Sequence, residues 1–209
     1  MAGNCIFDDE ACKEASEQEI IRRYYKCLKD IKQFGHTKDD KFKLELLMKQ
    51  AGISVDKRKV VKAALDREEE TAMAIELNDG RIVTGKTSEL LGASASALIN
   101  SIKVLAGIEH EVKLIAPEAI EPIQKLKTGY LGSRNPRLHS DEILIALSTT
   151  AARSDEAART LDKLSELKGA QAHSSVILSS VDEQIFRKLG INLTCEPKYE
   201  QDERRYHKN

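Results

Sequence analysis

The length, composition and charge of the chain already exclude several classes of protein. Its 209 residues are 41% hydrophobic, which is enough for one large or two small domains with a buried core. The 33 basic and 34 acidic residues are evenly spread, with fifteen of each sign in residues 1–70, so no basic face indicates a nucleic-acid or membrane partner.

The N-terminal segment and the cysteines indicate a cytoplasmic location. The segment is acidic where a secretion signal would be basic and then apolar, and no apolar run approaches the length of a membrane span. The four cysteines, Cys5, Cys12, Cys27 and Cys195, are far apart and include no Cys-x-x-Cys pair. This spacing predicts free thiols and argues against a structural metal site or a disulfide framework.

Residues 1–70 are predicted to form a helical subdomain. Apolar residues at helical spacing predict helices at Glu17–Phe34 and Lys41–Ala51, and Ser54 is the expected N-cap of a third. The run Glu68-Glu69-Glu70 is interpreted as a solvated face or linker.

From Thr71 the pattern changes to that of an α/β domain, which we place at residues 71–200, followed by a polar tail at 201–209. Two β-favouring segments flank Leu77-Asn78-Asp79-Gly80, a strong hairpin signal, and a helix is predicted at Ser94–Leu105. The later predicted elements are a strand at Val112–Ile115, helices at Pro117–Lys127, Asp141–Arg153 and Asp155–Leu167, a strand at His173–Leu178, a helix from a Ser180–Glu183 capping box to Leu189, and a strand at Ile191–Cys195. Because βαβ crossovers are right-handed and parallel, part of the sheet should be parallel.

The segment GRIVTGKT, residues 80–87, formally matches the phosphate-loop pattern Gly-x-x-x-x-Gly-Lys-Ser/Thr. Its Arg-Ile-Val-Thr centre suits a strand better than an anion cradle, so we favour a hairpin whose second strand leads to a loop. That loop still offers Lys86, Thr87 and Ser88 ahead of a helix as ligand-binding candidates for an anionic group. The small residues at 92–97 indicate either close packing of helix on sheet or close approach to a ligand.

The loop at residues 133–142 concentrates polar side chains before an apolar helix. Arg134, Asn135 and Arg137 are candidates for binding an anion, and His139 and Asp141 are candidates for proton transfer. The alternative is that Ser140 caps the helix and that the following carboxylates only favour its N-terminus, but capping does not account for the arginines or the histidine.

His173, at the start of a predicted strand, is a further candidate for proton transfer. Residues 179–183 follow the carboxyl end of the same strand, where α/β folds place their sites. The alternative is a core histidine whose ring nitrogens are satisfied by neighbours.

Three long segments carry a resemblance to a known family. They read GRIVTGKTSELLGASASALIN, IAPEAIEPIQKLKTGYLGSRNPRLHSDEILIALS and AHSSVILSSVDEQIFRKLGINLTCEP. They closely resemble the C-terminal half of domain-of-unknown-function family 1846, and CIFDDEACKEASEQEIIRRYY resembles the segment that enters that half. The resemblance implies a three-layer α/β/α sandwich with a mixed sheet, of cytidine-deaminase-like topology, after a small helical subdomain.

The same resemblance bears on function and partners. Family members carry a further α/β N-terminal half, so we expect a fragment or a separately encoded C-terminal part. Zinc-dependent deaminase chemistry requires His or Cys, then Glu, then Pro-Cys-x-x-Cys, whereas this chain has His139-Ser-Asp-Glu142 and no such cysteine pair. The implied architecture therefore lacks the zinc site.

The sequence thus leads to two hypotheses. The first is a cytosolic α/β enzyme or ligand-binding protein acting on a small anionic, for example phosphorylated, molecule; no cofactor is indicated. The second is a non-catalytic assembly or regulatory module that packs on an N-terminal half or on another subunit. We also expect a homo-oligomer, and neither nucleic acid nor membrane as a partner.

Overall fold

The computed structural model describes residues 9–35, 39–66 and 70–200. These form eight α-helices and four β-strands. The helices are α1 Asp9–Phe34, α2 Asp39–Ala51, α3 Lys59–Leu65, α4 Ala93–Leu105, α5 Pro117–Lys125, α6 Ser140–Ala151, α7 Asp155–Asp162 and α8 Ser180–Lys188, and the strands are β1 Ala72–Glu76, β2 Ile82–Lys86, β3 Gln171–Ser174 and β4 Asn192–Cys195. The predictions for Cys5, Glu68, Glu69 and residues 201–209 lie outside the described residues.

The four strands form one mixed sheet in the order β2-β1-β3-β4. β1 is antiparallel to both β2 and β3, and pairs Ala74 with Thr84 on one side and with His173 on the other. β3 and β4 are parallel, with His173 opposite Thr194, and are joined through α8. The predicted α/β class with a mixed sheet is therefore confirmed.

Helices cover both faces of this sheet. Side chains alternate along each strand, and β1 places apolar side chains on both faces. Met73 and Ile75 of β1 belong to the main core on the face against which α4 packs. Ala74 points to the opposite face and packs against Val60 and Ala64 of α3. α1 packs against β4, so the N-terminal helices contact the sheet directly. The proposed domain boundary at residue 70 stays a prediction.

The buried guanidinium of Arg58 ties the N-terminal helices to the sheet. This side chain is 1% exposed, and burial lowers its pKa to about 10. Its five hydrogen bonds go from Nε to Thr194 Oγ1, from one terminal nitrogen to the side-chain oxygens of Gln18 and Gln171, and from the other to the carbonyls of Ala172 and Asn192. These bonds offset part of the cost of removing the charge from water.

The predicted hairpin is confirmed, and it decides the meaning of the GRIVTGKT segment. The amide of Gly80 donates to Leu77 O over 2.9 Å, and Gly80 has a φ of +85°, which a side chain would strain. Residues 82–86 of the segment are strand β2, so they do not form a phosphate loop.

Gly85 explains the small residues that begin α4. A Cβ atom built on Gly85 would lie 2.1 Å from the backbone nitrogen of Ala97. Strand β2 and helix α4 therefore touch through their backbones, which only glycine on one element and small side chains on the other permit. The packing interpretation of residues 92–97 is confirmed.

Two strand predictions need correction. Val112–Ile115 is not a strand, although Leu114 and Ile115 are buried in the main core. A short apolar run is equally compatible with a buried connection, and here the carbonyl of Val112 accepts a hydrogen bond from Lys103 Nζ instead of a strand partner. The predicted strand His173–Leu178 ends at Ser174.

Two predicted helix caps are displaced by one residue. The cap of α8 is Ser179, not Ser180, and its Oγ accepts from the amide of Asp182 at 3.2 Å. The cap of α6 is His139, and Ser140 is the first helical residue. Ser140 and Asp182 thus both lie in the first turns of their helices, and the hydroxyl of Ser140 donates to Oδ1 of Asp182 at 2.6 Å.

Candidate functional site

The N-termini of α6 and α8 converge on a histidine and a buried aspartate. His139 precedes the first residue of α6, and Asp182 lies in the first turn of α8. The Nδ1 atom of His139 is 2.9 Å from Oδ2 of Asp182. This arrangement is that of a His-Asp dyad, in which a carboxylate orients an imidazole.

Asp182 is held as a carboxylate by its hydrogen-bond donors. It is 3% exposed. Its Oδ1 accepts from the amide and the hydroxyl of Ser140, at 2.9 and 2.6 Å, and its Oδ2 accepts from the hydroxyl of Ser179 at 2.7 Å. Burial alone would raise the pKa of Asp182, but the bonds from His139, Ser140 and Ser179 outweigh it and hold that pKa below its usual value.

His139 combines a fixed orientation with an accessible ring. Because Asp182 is ionised, Nδ1 of His139 carries the proton and donates it to the carboxylate in a hydrogen bond. This leaves Nε2 as the nitrogen that can exchange a proton with a ligand. The side chain is 25% exposed, and no hydrogen bond to Nε2 occurs within residues 9–35, 39–66 and 70–200. The bond to Asp182 raises the pKa of His139. The dyad can therefore accept or donate a proton near neutral pH.

A partly buried ion pair fixes the backbone that presents His139. Lys127 Nζ donates to Glu142 Oε2 at 2.7 Å and to the carbonyl of Arg137 at 2.6 Å. The same Glu142 oxygen accepts from the amide of His139 at 2.8 Å. The dyad is thereby positioned by a network that joins the turn after α5 to the start of α6.

The segment after β2 contacts this loop through its backbone. Leu138 N donates to Leu90 O at 2.9 Å, and Gly92 N donates to Leu138 O at 3.2 Å. Ser88, a predicted ligand-binding residue, closes a local turn in which its Oγ accepts from Leu91 N. The amide of Thr87 donates to Thr71 O. The segment after β2 and the loop at residues 133–142, which were expected to form one site, are thus joined by backbone hydrogen bonds.

Lys86, in contrast, lies at a separate cavity. Its Nζ is 2.9 Å from Glu70 Oε2, and the residue lines a cavity of about 380 Å³ together with Asn100, Lys103 and His110. No residue of the 133–142 loop lines that cavity. The structure therefore does not bring Lys86 together with the candidates of the loop.

The polar candidates of the loop are engaged within the protein. Asn135 Oδ1 accepts from the amide of Arg137 at 3.0 Å, and Arg137 forms an ion pair with Glu200 at 3.4 Å. Arg134 also has an interaction partner. Asp141 Oδ1 accepts from the amide of Glu142 at 2.8 Å, a local bond of the first helical turn.

His173 lies in a different, fully buried environment. Its Nδ1 is 2.9 Å from Thr194 Oγ1, its Nε2 is 3.3 Å from Glu196 Oε1, and its ring centroid lies 4.8 Å from that of Tyr25. Burial lowers the pKa of His173. With no exposed surface, it occupies a core position between α1 and the sheet.

Sequence reasoning missed the residues that hold His139 in place, Asp182 directly and Lys127 through Glu142. Asp182 lay within a predicted cap and Lys127 within a predicted helix, so neither was connected with the loop. The usable signal was Ser179-Ser-Val-Asp182 directly after a buried segment, where the first helical turn presents a carboxylate.

The described part of the chain contains neither a metal-binding cluster nor a helix suited to span a membrane. Within residues 9–35, 39–66 and 70–200, no group of three or more His, Cys, Asp or Glu side chains is arranged to hold a metal ion. No helix in the same part of the chain has the length and apolarity needed to cross a membrane.

Comparison with known families identifies the relatives of the chain. Residues 56–206 match the family model described as "Domain of unknown function DUF1846, C-terminal". The chain belongs to this family. Residues 1–52 match the companion model, "Domain of unknown function DUF1846, N-terminal". The resemblance inferred from the sequence is therefore confirmed, and it extends beyond the C-terminal half to α1 and α2.

Individual relatives show the same relationship. A UPF0371 protein of Corynebacterium glutamicum (strain R) is 55% identical over 203 residues, which are 96% of this chain and 41% of the relative. A UPF0371 protein of Streptococcus thermophilus (strain CNRZ 1066) is also 55% identical, over 97% of this chain and 42% of its own length. The chain thus spans about two fifths of the length of the relatives it matches.

Proposed function

We propose that the chain contributes a general acid–base dyad, His139 and Asp182, to an α/β enzyme that acts on a small anionic molecule. The observation that carries the proposal is the 2.9 Å contact between Nδ1 of the partly exposed His139 and the buried carboxylate of Asp182. An imidazole oriented in this way presents Nε2 to a ligand with its basicity increased.

The loop around the dyad supports an anionic substrate. Arg134 and Arg137 lie within five residues of His139, and the N-termini of α6 and α8 add positive potential. In this proposal a ligand would compete with Glu200 for Arg137, while Lys127 and Glu142 keep the loop in place. Asn135, Thr87 and Ser88 remain candidate contacts, and Asp141 and His173 remain candidates for proton transfer.

We also propose that the sheet has the strand topology of cytidine deaminases. The resemblance implies cytidine-deaminase-like topology, and the open mixed sheet with helices on both faces supports it. Our proposal assigns no zinc to this topology, because the residues that hold zinc in deaminases have no counterpart in the sequence.

A D2O exchange experiment tests the dyad. The chain is incubated in D2O with a panel of sugar phosphates and 2-oxo acids, and proton NMR follows the replacement of C–H by C–D and the turnover of each compound. We expect one class to react and His139→Gln to reduce its rate by about 10²–10⁴-fold, the usual contribution of general acid–base catalysis. Full activity in His139→Gln would exclude the dyad.

A second candidate function is an assembly module. Helix α2 presents Phe42 and Leu46, one turn apart, with 68% and 45% of their surfaces exposed. Helices α1 and α2 lie within residues 1–52, which match the N-terminal family model, and the chain covers 41% of the length of a relative. An apolar helical face of this kind favours packing on another protein surface, such as the N-terminal half that the family resemblance implies. Association measured by analytical ultracentrifugation, and its loss in Phe42→Lys, would favour this candidate.

A further inference from the structure

A cleft of about 510 Å³ lies between α1 on one side and α8 with β4 on the other. The two sides belong to different family matches, because α1 falls within residues 1–52 and both α8 and β4 fall within 56–206. Ligand sites commonly occur at such junctions and have volumes of roughly 300–1,000 Å³. We propose that this cleft binds a small anion carrying a phosphate or pyrophosphate group.

The charge of the cleft favours an anion. Five basic residues and three acidic residues line it, which gives a net charge of +2. The basic residues are Arg22, Arg23, Lys26, Lys29 and Arg187, and the acidic residues are Glu19, Asp30 and Glu183. The excess arises partly because Arg22 and Arg23 share the single carboxylate of Glu19, while Lys29 is paired with Glu183 across the cleft at 2.8 Å.

Two of these cations are available to a ligand. Lys26 of α1 and Arg187 of α8 are exposed, and neither forms an ion pair with a residue in the described part of the chain. They approach the cleft from its two opposite walls. An ammonium and a guanidinium placed in this way suit a phosphate group, since the guanidinium donates two parallel hydrogen bonds and the ammonium adds a compact charge.

The open edge of the sheet adds backbone donors. The amides of Asn192 and Glu196 donate toward β3, to Ala170 O and Ser174 O. Because successive amides of a strand point to opposite sides, those of Leu193 and Cys195 point away from β3, to the edge that the cleft occupies. Neither amide has a hydrogen-bond acceptor among residues 9–35, 39–66 and 70–200. Edge amides of this kind are ready donors to a bound anion.

The thiol of Cys195 does not oppose an anion. It lines the cleft and is 5% exposed, and burial raises its pKa to about 12. The thiol is therefore neutral at physiological pH and places no negative charge next to the edge amides. Cleft and dyad are also separate, because neither His139 nor Asp182 lines the cleft, although Glu183, which follows Asp182, does. The inference thus stands independently of the proposed chemistry at His139.

Calorimetric titration with pyrophosphate tests the cleft on the full 209-residue chain at low ionic strength. We expect saturable binding, and the double variant K26Q/R187Q should raise Kd at least tenfold. The matched control is K32Q/K188Q, which removes the same charge from exposed positions of the same two helices outside the cleft; it should change Kd less than twofold. Absence of binding at millimolar pyrophosphate, or equal weakening in both double variants, would overturn the proposal.

Amide NMR shifts locate the bound anion. With pyrophosphate, the largest shifts are expected at Leu193 and Cys195, and His139→Gln should bind with unchanged Kd. Shifts confined to residues 133–142 would show that the anion binds near the dyad and would refute the cleft. If His139→Gln abolishes catalysis but binds pyrophosphate as before, the result supports an anion site in the cleft that is distinct from the dyad.

Discussion

His139 and Asp182 are 43 positions apart in the chain, yet Nδ1 of one lies 2.9 Å from Oδ2 of the other. The contact joins the first turns of α6 and α8. Four hydrogen bonds converge on the buried carboxylate, from His139, from the amide and hydroxyl of Ser140, and from Ser179. This relationship makes the dyad both a candidate for chemistry and a structural link, and the two roles give different predictions.

The first prediction concerns the titration of His139. Its pKa should lie above the usual value of about 6.5, because the charged imidazolium is stabilised by Asp182. A group whose pKa is raised by folding stabilises the protein fully below its unfolded pKa, and that contribution is lost as the pH rises through the folded pKa. The chain should thus lose stability as the pH rises above about 6.5, as measured by urea unfolding at several pH values.

The control for this prediction is His139→Gln. Its stability should fall less over the same pH interval, because the variant lacks the titrating group. Proton NMR of the imidazole resonances gives the pKa of His139 directly. A value at or below that of an unperturbed histidine would contradict the ionised dyad.

The second prediction concerns Asp182→Asn. The amide offers one acceptor where two charged oxygens took four hydrogen bonds, and it leaves His139 without its counter-charge. We expect the free energy of unfolding to fall by about 3 kcal/mol, in the range for breaking a buried charge pair. Asp141→Asn, in the same helical turn as Ser140, affects a carboxylate whose Oδ1 accepts a local bond from the amide of Glu142, and it should change the free energy of unfolding by less than about 0.5 kcal/mol. Equal effects of the two substitutions would show that Asp182 is not the structural link.

The third prediction concerns Gly85→Ala. The added methyl group would meet the backbone of Ala97 at 2.1 Å, and neither β2 nor α4 can yield locally. We expect a loss of stability of about 3 kcal/mol or more, at the upper end for overpacking. Gly129→Ala is the matched control, because nothing lies within 4 Å of its Cβ position; its melting temperature should be unchanged or slightly higher. A tolerated Gly85→Ala would disprove the backbone contact.

The fourth prediction concerns the cysteines. Cys12 is exposed on α1, whereas Cys195 is buried and its pKa is raised to about 12. Since the thiolate is the reacting form, iodoacetamide at pH 8 should label Cys12 at least a hundredfold faster than Cys195 in the folded protein, as followed by peptide mass spectrometry. In urea the two rates should become equal. Fast labelling of Cys195 in the folded chain would mean that the β4 edge opens.

Local signals in the sequence were sufficient for most of the secondary structure. The Asn78-Asp79-Gly80 turn predicted the hairpin, and the small residues at 92–97 indicated close packing of α4 as one of two alternatives, since both features depend on backbone geometry that few residues allow. The Val112–Ile115 segment failed because an apolar run reports burial, and burial does not require a strand partner.

The sequence predicted only part of the candidate site, because its patterns report local properties and not contacts between distant residues. The sequence by itself determined that His139 follows a polar loop at a helix start, because loop composition and helix periodicity are local properties. Only the tertiary structure decided which carboxylate reaches it: Asp141, two residues away, bonds to the adjacent amide, and Asp182, 43 residues away, bonds to the ring. The tertiary structure also shows that Lys86 lines a different cavity from the loop at residues 133–142. Contacts between distant residues depend on how helices pack on the sheet, and that packing is set by the whole core.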